Sequence, residues 1–485
     1  MRRRFRLLPI AWLLLLLCVP AIGWALGARQ PLLDNRPKTE WPRLGVAALR
    51  DASTYQQIDA ALLERLPPRE RALRAHARIA IDAFHDSPNP DVAIGSDGYR
   101  YYVPDLQTCL AGTSTAPVSD PGDVVDILAR SIVASGRQAL VVVPGQKLLI
   151  HDEDAPTIDD GRLRCARAIE RAVAARLDAA PGGWDIDAPL RALEADGRPV
   201  FRRNDTHLNH DGRLVYANRV LDFIRPGLAR QVGLRLGPPY ERVGDLATML
   251  GLRTTDEERP LVPTRTPKPP VRPGSVVLIG DSQMEQTFTE PPGPGLAPLV
   301  STTLPGTPTC TQPVLYGGQC DAPIKAASKI VYETVGRNLS EIEGVCWRVV
   351  SLVTEKQVTG PAGRYERLDG QGPTGGRELT IGPTGTLKLR VVVPGPDASP
   401  TPRLLLLGLR DVPDGVPVAM AQEAQGGKPA PCATPQQYAG GSLVLPVPAH
   451  RRASDLVVTL TGPPSTRVIA PRVVPLTGRS EKVER

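Results

Sequence analysis

Aromatic residues make up only 4% of this 485-residue chain, and it carries just six histidines. No stripe of Lys and Arg interleaved with aromatics appears, which excludes nucleic acid as a partner. No Cys-x-x-Cys spacing occurs among the seven cysteines. With histidine so scarce, that removes the usual zinc frameworks, and no metal or other cofactor is expected. The body also lacks a strong charge of either sign. Net charge is +7, but Arg2, Arg3, Arg4 and Arg6 carry four of those charges ahead of any acid. No long internal repeat is visible.

Proline and glycine are plentiful, at 52 and 45 residues, about a fifth of the chain. That is high for a globular protein but short of a disordered one, and it predicts many short strands and turns. The length predicts two or three domains. Leu7 to Leu26 is an apolar run behind the arginines, the pattern of an export segment. It reads either as a cleaved signal peptide or as an anchor that holds the protein to the membrane, with the body outside the cytoplasm. The expected location is the periplasm or the outer face of the cytoplasmic membrane. Six cysteines follow it, an even number that predicts disulfides in an oxidising compartment. Locality alone pairs Cys109 with Cys165, Cys310 with Cys320 and Cys346 with Cys432, one of fifteen arrangements.

Residues 1–28 are thus the export segment and 29–45 a stem. From Ala47 to about His85, apolar residues recur at helical spacing and Pro67-Pro68 break the run. Asp91–Gly95 reads as a strand, and Asp97-Gly98 as the turn of a hairpin into Tyr99, Tyr101 and Tyr102. Helix and strand then alternate: helix Val124–Ala134, strand Ala139–Pro144, helix Arg164–Leu177, strand Pro199–Phe201, helix Leu214–Phe223. That alternation predicts an α/β domain with a mostly parallel sheet over 46–345. Arg259–Pro273 reads as an exposed Pro-rich connector. Lys329–Tyr332 is its last strand. After Val345 helical spacing fades, and seven short β-rich runs separated by Gly/Pro turns, beginning with Trp347–Thr354, predict an all-β sandwich over 346–485.

Within the α/β part, Val276-Val277-Leu278-Ile279 is a buried strand that Gly280 ends, leaving Ser282 just past its tip. Reactive groups in open α/β sheets sit outside the carboxyl ends of strands. A serine hydroxyl becomes a nucleophile when an imidazole takes its proton and a carboxylate orients that imidazole. Asp205-Thr206-His207 offers both. In extended backbone, residues two apart face the same side, so Asp205 is placed to hold one nitrogen of His207. His210 is a rival imidazole, and Asp205 as a simple helix cap a rival reading.

Several blocks in order resemble the alginate O-acetyltransferase family, the AlgJ/AlgX-type SGNH-hydrolase-like domain. They are Leu63–Arg69, the hairpin Ser87–Gly98, the Pro-x-x-Lys strand end Val141–Lys147, Asn204-Asp205-Thr206-His207, Gly280-Asp281-Ser282, and the Glu-x-x-x-Arg block within Lys329–Leu339. Leu208, Gln283 and Tyr99 depart from the family's usual residues. The resemblance implies a triad of Ser282, His207 and Asp205. Tyr332, Arg337 and Asn338 are candidate helpers at the substrate, with structural roles as the rival reading. The resemblance implies acetyl transfer onto an exported polysaccharide, with a membrane-bound O-acyltransferase as acetyl donor. It also leaves the β domain as carbohydrate-binding or protein-docking. An esterase with the same triad and a non-catalytic assembly protein remain as alternatives.

Overall fold

The computed structural model describes residues 39–43, 45, 48–65, 69–109, 120–155, 160–289, 297–311, 318–340 and 342–354 of the first part. In the C-terminal part it describes 364–370, 375–376, 378–392, 401–412, 419–423, 436–437, 442–447, 452 and 457–476, and positions 18, 22 and 26 stand alone. The export-segment reading and Cys432 therefore fall outside the described residues. Among the described residues, no helix is long and apolar enough to cross a membrane.

The helices Ala52–Leu63 and Arg69–Phe84 precede a hairpin of β1 (Val92–Ile94) and β2 (Arg100–Tyr102). The helix Pro121–Ala134 then feeds β3 (Gln138–Val142), and Asp160–Ala179 feeds β4 (Gly183–Trp184). After the helix His210–Ile224 come two small antiparallel pairs. β5 (Leu234–Leu236) pairs with β8 (Leu261–Pro263), and between them in sequence β6 (Tyr240–Val243) pairs with β7 (Thr255–Glu258). The segment read as a free connector is thus tied down: β8 lies within it, and Leu261 and Val271 are buried. The central strands are β9 (Val276–Ile279), β10 (Thr309–Cys310) and β11 (Lys329–Glu333). They join β3 and β4 in a parallel sheet of order β10-β9-β11-β3-β4.

Both faces of this sheet are covered, which is why its strands are continuous apolar runs. Ala139, Val141, Val277, Ile279, Ile330 and Tyr332 face the helices Pro121–Ala134, Asp160–Ala179 and Ile342–Thr354. Leu140, Val142, Val276, Leu278 and Val331 face the helix His210–Ile224 and its neighbours. Pro199–Phe201 forms no strand there; Phe201 makes one isolated bridge to Leu208.

The largest correction concerns Trp347–Thr354, read as a strand. It is part of the helix Ile342–Thr354. Buried Cys346, Val349, Val350 and Val353 fall three and four apart, a helical period that the run of β-branched residues disguised. This helix packs on Pro121–Ala134, so the α/β unit continues past 345.

Two antiparallel sheets follow. One holds β12 (Arg364–Arg367), β13 (Gly375–Gly376), β15 (Thr386–Val392), β17 (Ala419–Glu423), β18 (Gln436–Gln437) and β20 (Val457–Thr461). The other holds β14 (Glu378–Thr380), β16 (Arg403–Arg410), β19 (Ser442–Val447) and β21 (Arg467–Pro475). Strand alternation assigns the faces of β16. Leu405, Leu407 and Leu409 share a core with Leu387, Leu389 and Val391 of the first sheet. Leu404 and Leu406 join the core of the α/β unit instead.

Disulfides join Cys109 to Cys165 and Cys310 to Cys320, as locality predicts. Cys346 is also disulfide-bonded. These bonds fit an oxidising compartment.

Candidate functional site

Ser282 opens a helical turn, Ser282–Met284, directly beyond β9, and is half-buried at the carboxyl edge of the sheet. Asp281 caps the turn by accepting from the Gln283 N–H at 3.0 Å. Its second oxygen accepts from the Val335 N–H at 2.8 Å and from Asn338 Nδ2 at 3.1 Å, binding the turn to the segment after β11. Gly280 is required by close approach: a Cβ there would lie 2.7 Å from Glu333 Oε2 and 2.8 Å from Met284 Cβ.

Asp205 and His207 meet, but not through extended backbone. The 203–207 stretch is a turn and bend, and Asp205 Oδ1 accepts both from the His207 backbone N–H at 2.9 Å and from Nδ1 at 2.5 Å. This is an Asx-type turn, in which a short carboxylate folds onto the backbone two residues ahead. It fixes the imidazole with its other nitrogen, Nε2, buried and without a hydrogen-bond partner. His151 is a useful contrast. Both of its nitrogens face carboxylates, Glu194 at 2.7 Å and Asp154 at 3.3 Å, leaving it no proton-transfer position. His210, the rival imidazole, stands beside Glu258 at 3.4 Å.

Gln283 joins the two halves of the site. Its Oε1 accepts from the Leu208 N–H at 3.2 Å, and its Nε2 donates to the Thr206 carbonyl at 3.4 Å. The residue next to Ser282 thus grips the backbone on both sides of His207. Gln283 is one of the departures noted in the sequence, but nothing in its spacing reveals this role.

Beneath the loop lies a buried ion network. Arg202 bonds Glu258 and Gln286 and reaches Asp205 Oδ2 at 3.4 Å; Arg213 pairs with Glu258 at 2.7 Å. Burial alone would raise the Asp205 carboxyl, but His207 and Arg202 outweigh it and hold it well below the ordinary carboxylate range. Asp205 therefore stays ionised beside the imidazole. Lys147, fully buried, donates to the carbonyls of Arg100, Arg202, Arg203 and Asp205 at 2.6 to 3.2 Å. The Pro-x-x-Lys block thus anchors the turn that carries Asp205. Burial pushes the Lys147 ammonium down to about 7. Asp245 accepts from the Thr206 N–H and hydroxyl at 2.9 and 2.6 Å. Asp205, His207 and Asp245 offer ligand atoms within 4.8 Å of one another, yet these oxygens already serve the loop's own donors.

The three helper residues are placed as follows. Asn338 holds Asp281. Arg337 donates to buried Asp105 at 3.3 Å and lies 5.5 Å over the Tyr102 ring. Tyr332 is 2% exposed and packs in the sheet's core, so a substrate-contact role for it is corrected to packing. The neighbouring strand position matters more. Glu333 Oε2 accepts from the N–H groups of Asp281 and Met284, each at 3.2 Å.

Burial, reinforced by Asp281, pushes the Glu333 carboxyl well above its ordinary value of 4.5. The folded state keeps a proton that the unfolded state releases. Its stabilisation is therefore complete below about pH 4.5 and is lost as pH rises toward the folded value. Glu333→Gln is expected to keep both acceptor bonds and flatten that decline, measured as urea midpoints from pH 4 to 8. A slope identical to wild type would show that Glu333 is already ionised in the fold.

Residues 92–292 match the model of a known family, described as the SGNH hydrolase-like domain of acetyltransferase AlgX. The resemblance read from the sequence is shown over that stretch. This part of the chain is an SGNH hydrolase-like α/β domain. Among curated proteins, none matches the sequence. The O-acetyltransferase domain of Pseudomonas putida AlgJ is 18% identical, covering 52% of this chain and 93% of its own, at a TM-score of 0.36. Pseudomonas aeruginosa AlgX is 12% identical, covering 79% and 90%, at 0.38. Bacillus cereus PatB1 is 7% identical, covering 51% and 96%, at 0.32. Scores this low carry no weight beside the family match.

Proposed function

We propose that the chain is an extracytoplasmic O-acetyltransferase acting on hydroxyls of an exported polysaccharide, with Ser282, His207 and Asp205 as its triad. One observation supports this most. Asp205 holds Nδ1 of His207 while Nε2 is left without a partner, and Gln283 ties the Ser282 turn to the backbone on both sides of that imidazole. In the proposed sequence, Ser282 Oγ attacks the acetyl carbonyl of the donor and its proton passes to His207 Nε2. The imidazolium, balanced by ionised Asp205, returns that proton to the leaving group. A sugar hydroxyl then attacks the acetyl-serine, gives its proton to His207 and leaves with the acetyl group; Ser282 recovers its proton. The Ser282 backbone N–H is the proposed oxyanion donor.

The proposed acetyl donor is a membrane-bound O-acyltransferase, and the N-terminal segment holds the protein at the membrane beside it. The two C-terminal sheets form the proposed sandwich domain, presenting polymer to the triad. The test is acetyl release from p-nitrophenyl acetate by the full chain, with and without oligosaccharides of exported polymers. Release that rises with oligosaccharide, together with acetylated product by mass spectrometry, supports transfer. Release to water alone indicates an esterase, and no release in either condition indicates a non-catalytic assembly protein.

A further inference from the structure

Arg100 has no evident role in the site just described. Its backbone is fully engaged: its N–H donates to the Arg203 carbonyl at 2.9 Å, and its carbonyl accepts from Lys147 at 2.7 Å. Its side chain is another matter. The residue is 9% exposed, and both Nε and Nη1 are buried with no hydrogen-bond partner. Among the described residues it forms no ion pair; Asp256 attracts it only at a distance. A buried guanidinium left in this way is costly, because its Nε and Nη1 donors have lost water and gained no partner in exchange.

The surroundings suggest what the guanidinium is for. Arg100 lines a cavity of about 310 Å³ between the helix Arg69–Phe84 and the segment after the helix Asp245–Met249. Arg74, Arg78 and Arg253 line it too, with Asp82 as the sole carboxylate among the lining residues. Arg100, with Nε and Nη1 unpartnered, thus meets exposed Arg78 at one recess, a lining that favours an anion. Burial lowers the Arg100 pKa, the direction expected of a cation without its counter-charge. Guanidinium forks match the planar oxygens of carboxylate and phosphate in paired hydrogen bonds.

We propose that this cavity is an oxyanion site that takes a carboxylate or a phosphate group, with Arg100 as its floor and exposed Arg78 at its rim. Lys147 grips the carbonyls of both Arg100 and Asp205, so the cavity stands against the loop that carries the triad. The site is argued from its own cations and does not depend on the catalytic reading.

The test uses the full chain at constant ionic strength, titrated with inorganic phosphate and with glucuronate by calorimetry and by thermal shift, with chloride as control. Saturable binding of either probe, with a rise in melting temperature, is expected. Phosphate alone binding marks a phosphate source, and glucuronate alone a carboxylate source. Arg100→Gln is expected to weaken binding by roughly tenfold or more. Arg78→Glu, at an exposed position that does not threaten folding, is expected to abolish it. Ser282→Ala is expected to bind as wild type does, which separates this site from catalysis. No saturable binding of either probe, or equal binding by the wild type and Arg78→Glu, would overturn the proposal.

Discussion

Ser282→Ala is expected to cut acetyl release by a factor on the order of 10⁴–10⁶ while leaving the melting temperature within a degree or two of wild type. Ser282 is half-buried at the start of a short turn whose cap and anchors all come from Asp281, Gln283 and Glu333. Removing the hydroxyl therefore takes away the proposed nucleophile and almost nothing structural. Asp205→Asn should cost less, on the order of 10³–10⁴, because geometry survives while the tautomer and charge at His207 do not. Asparagine's side-chain oxygen still accepts from the His207 N–H, so the turn is retained. The two variants measured together separate chemistry from folding. If Ser282→Ala kept more than about a tenth of wild-type turnover on the same ester, the nucleophile would have to be sought elsewhere.

The second large effect lies in stability. Glu258 is fully buried and is the anion shared by Arg202 and Arg213, with His210 alongside. Burial alone would raise its carboxyl, but His210, Arg202 and Arg213 outweigh that and hold it at about 2. Its stabilisation is present above the ordinary value of 4.5 and is lost as pH falls through about 2. Glu258→Gln is expected to destabilise the domain by about 3–5 kcal/mol, because it strands buried Arg213 without a counter-charge and leaves Arg202 with Asp205 alone. Activity should fall as well, since Arg202 also steadies Asp205. Urea unfolding at pH 7 checks the first part. A loss below about 1 kcal/mol would mean that water reaches and solvates the arginines.

Much of the fold was legible because burial on two faces imposes a pattern that local sequence must carry. Val276–Ile279, Lys329–Tyr332 and Ala139–Pro144 read as strands because both sides of the sheet they form face apolar helices. Trp347–Thr354 misled for the complementary reason. Its β-branched residues satisfy strand composition, while their three-and-four spacing sets a helix against the helix Pro121–Ala134. The strand Arg364–Arg367 left no signal, since its buried Tyr365 and Arg367 alternate with more exposed positions and form no continuous apolar run.

By itself the sequence picked out the residues proposed to carry the chemistry, a serine past a strand tip and an Asp-x-His pair, and it paired Cys109 with Cys165 and Cys310 with Cys320. Those are local statements, and short-range chain geometry suffices for them. Only the tertiary structure decided what surrounds them: Gln283 gripping the His207 loop, Lys147 gathering four carbonyls, Glu258 shared by two arginines, and Arg100 left facing an arginine-lined cavity. Each joins segments dozens of residues apart. Desolvation gives such polar contacts their strength, and a side chain loses its water only after the whole chain has packed around it.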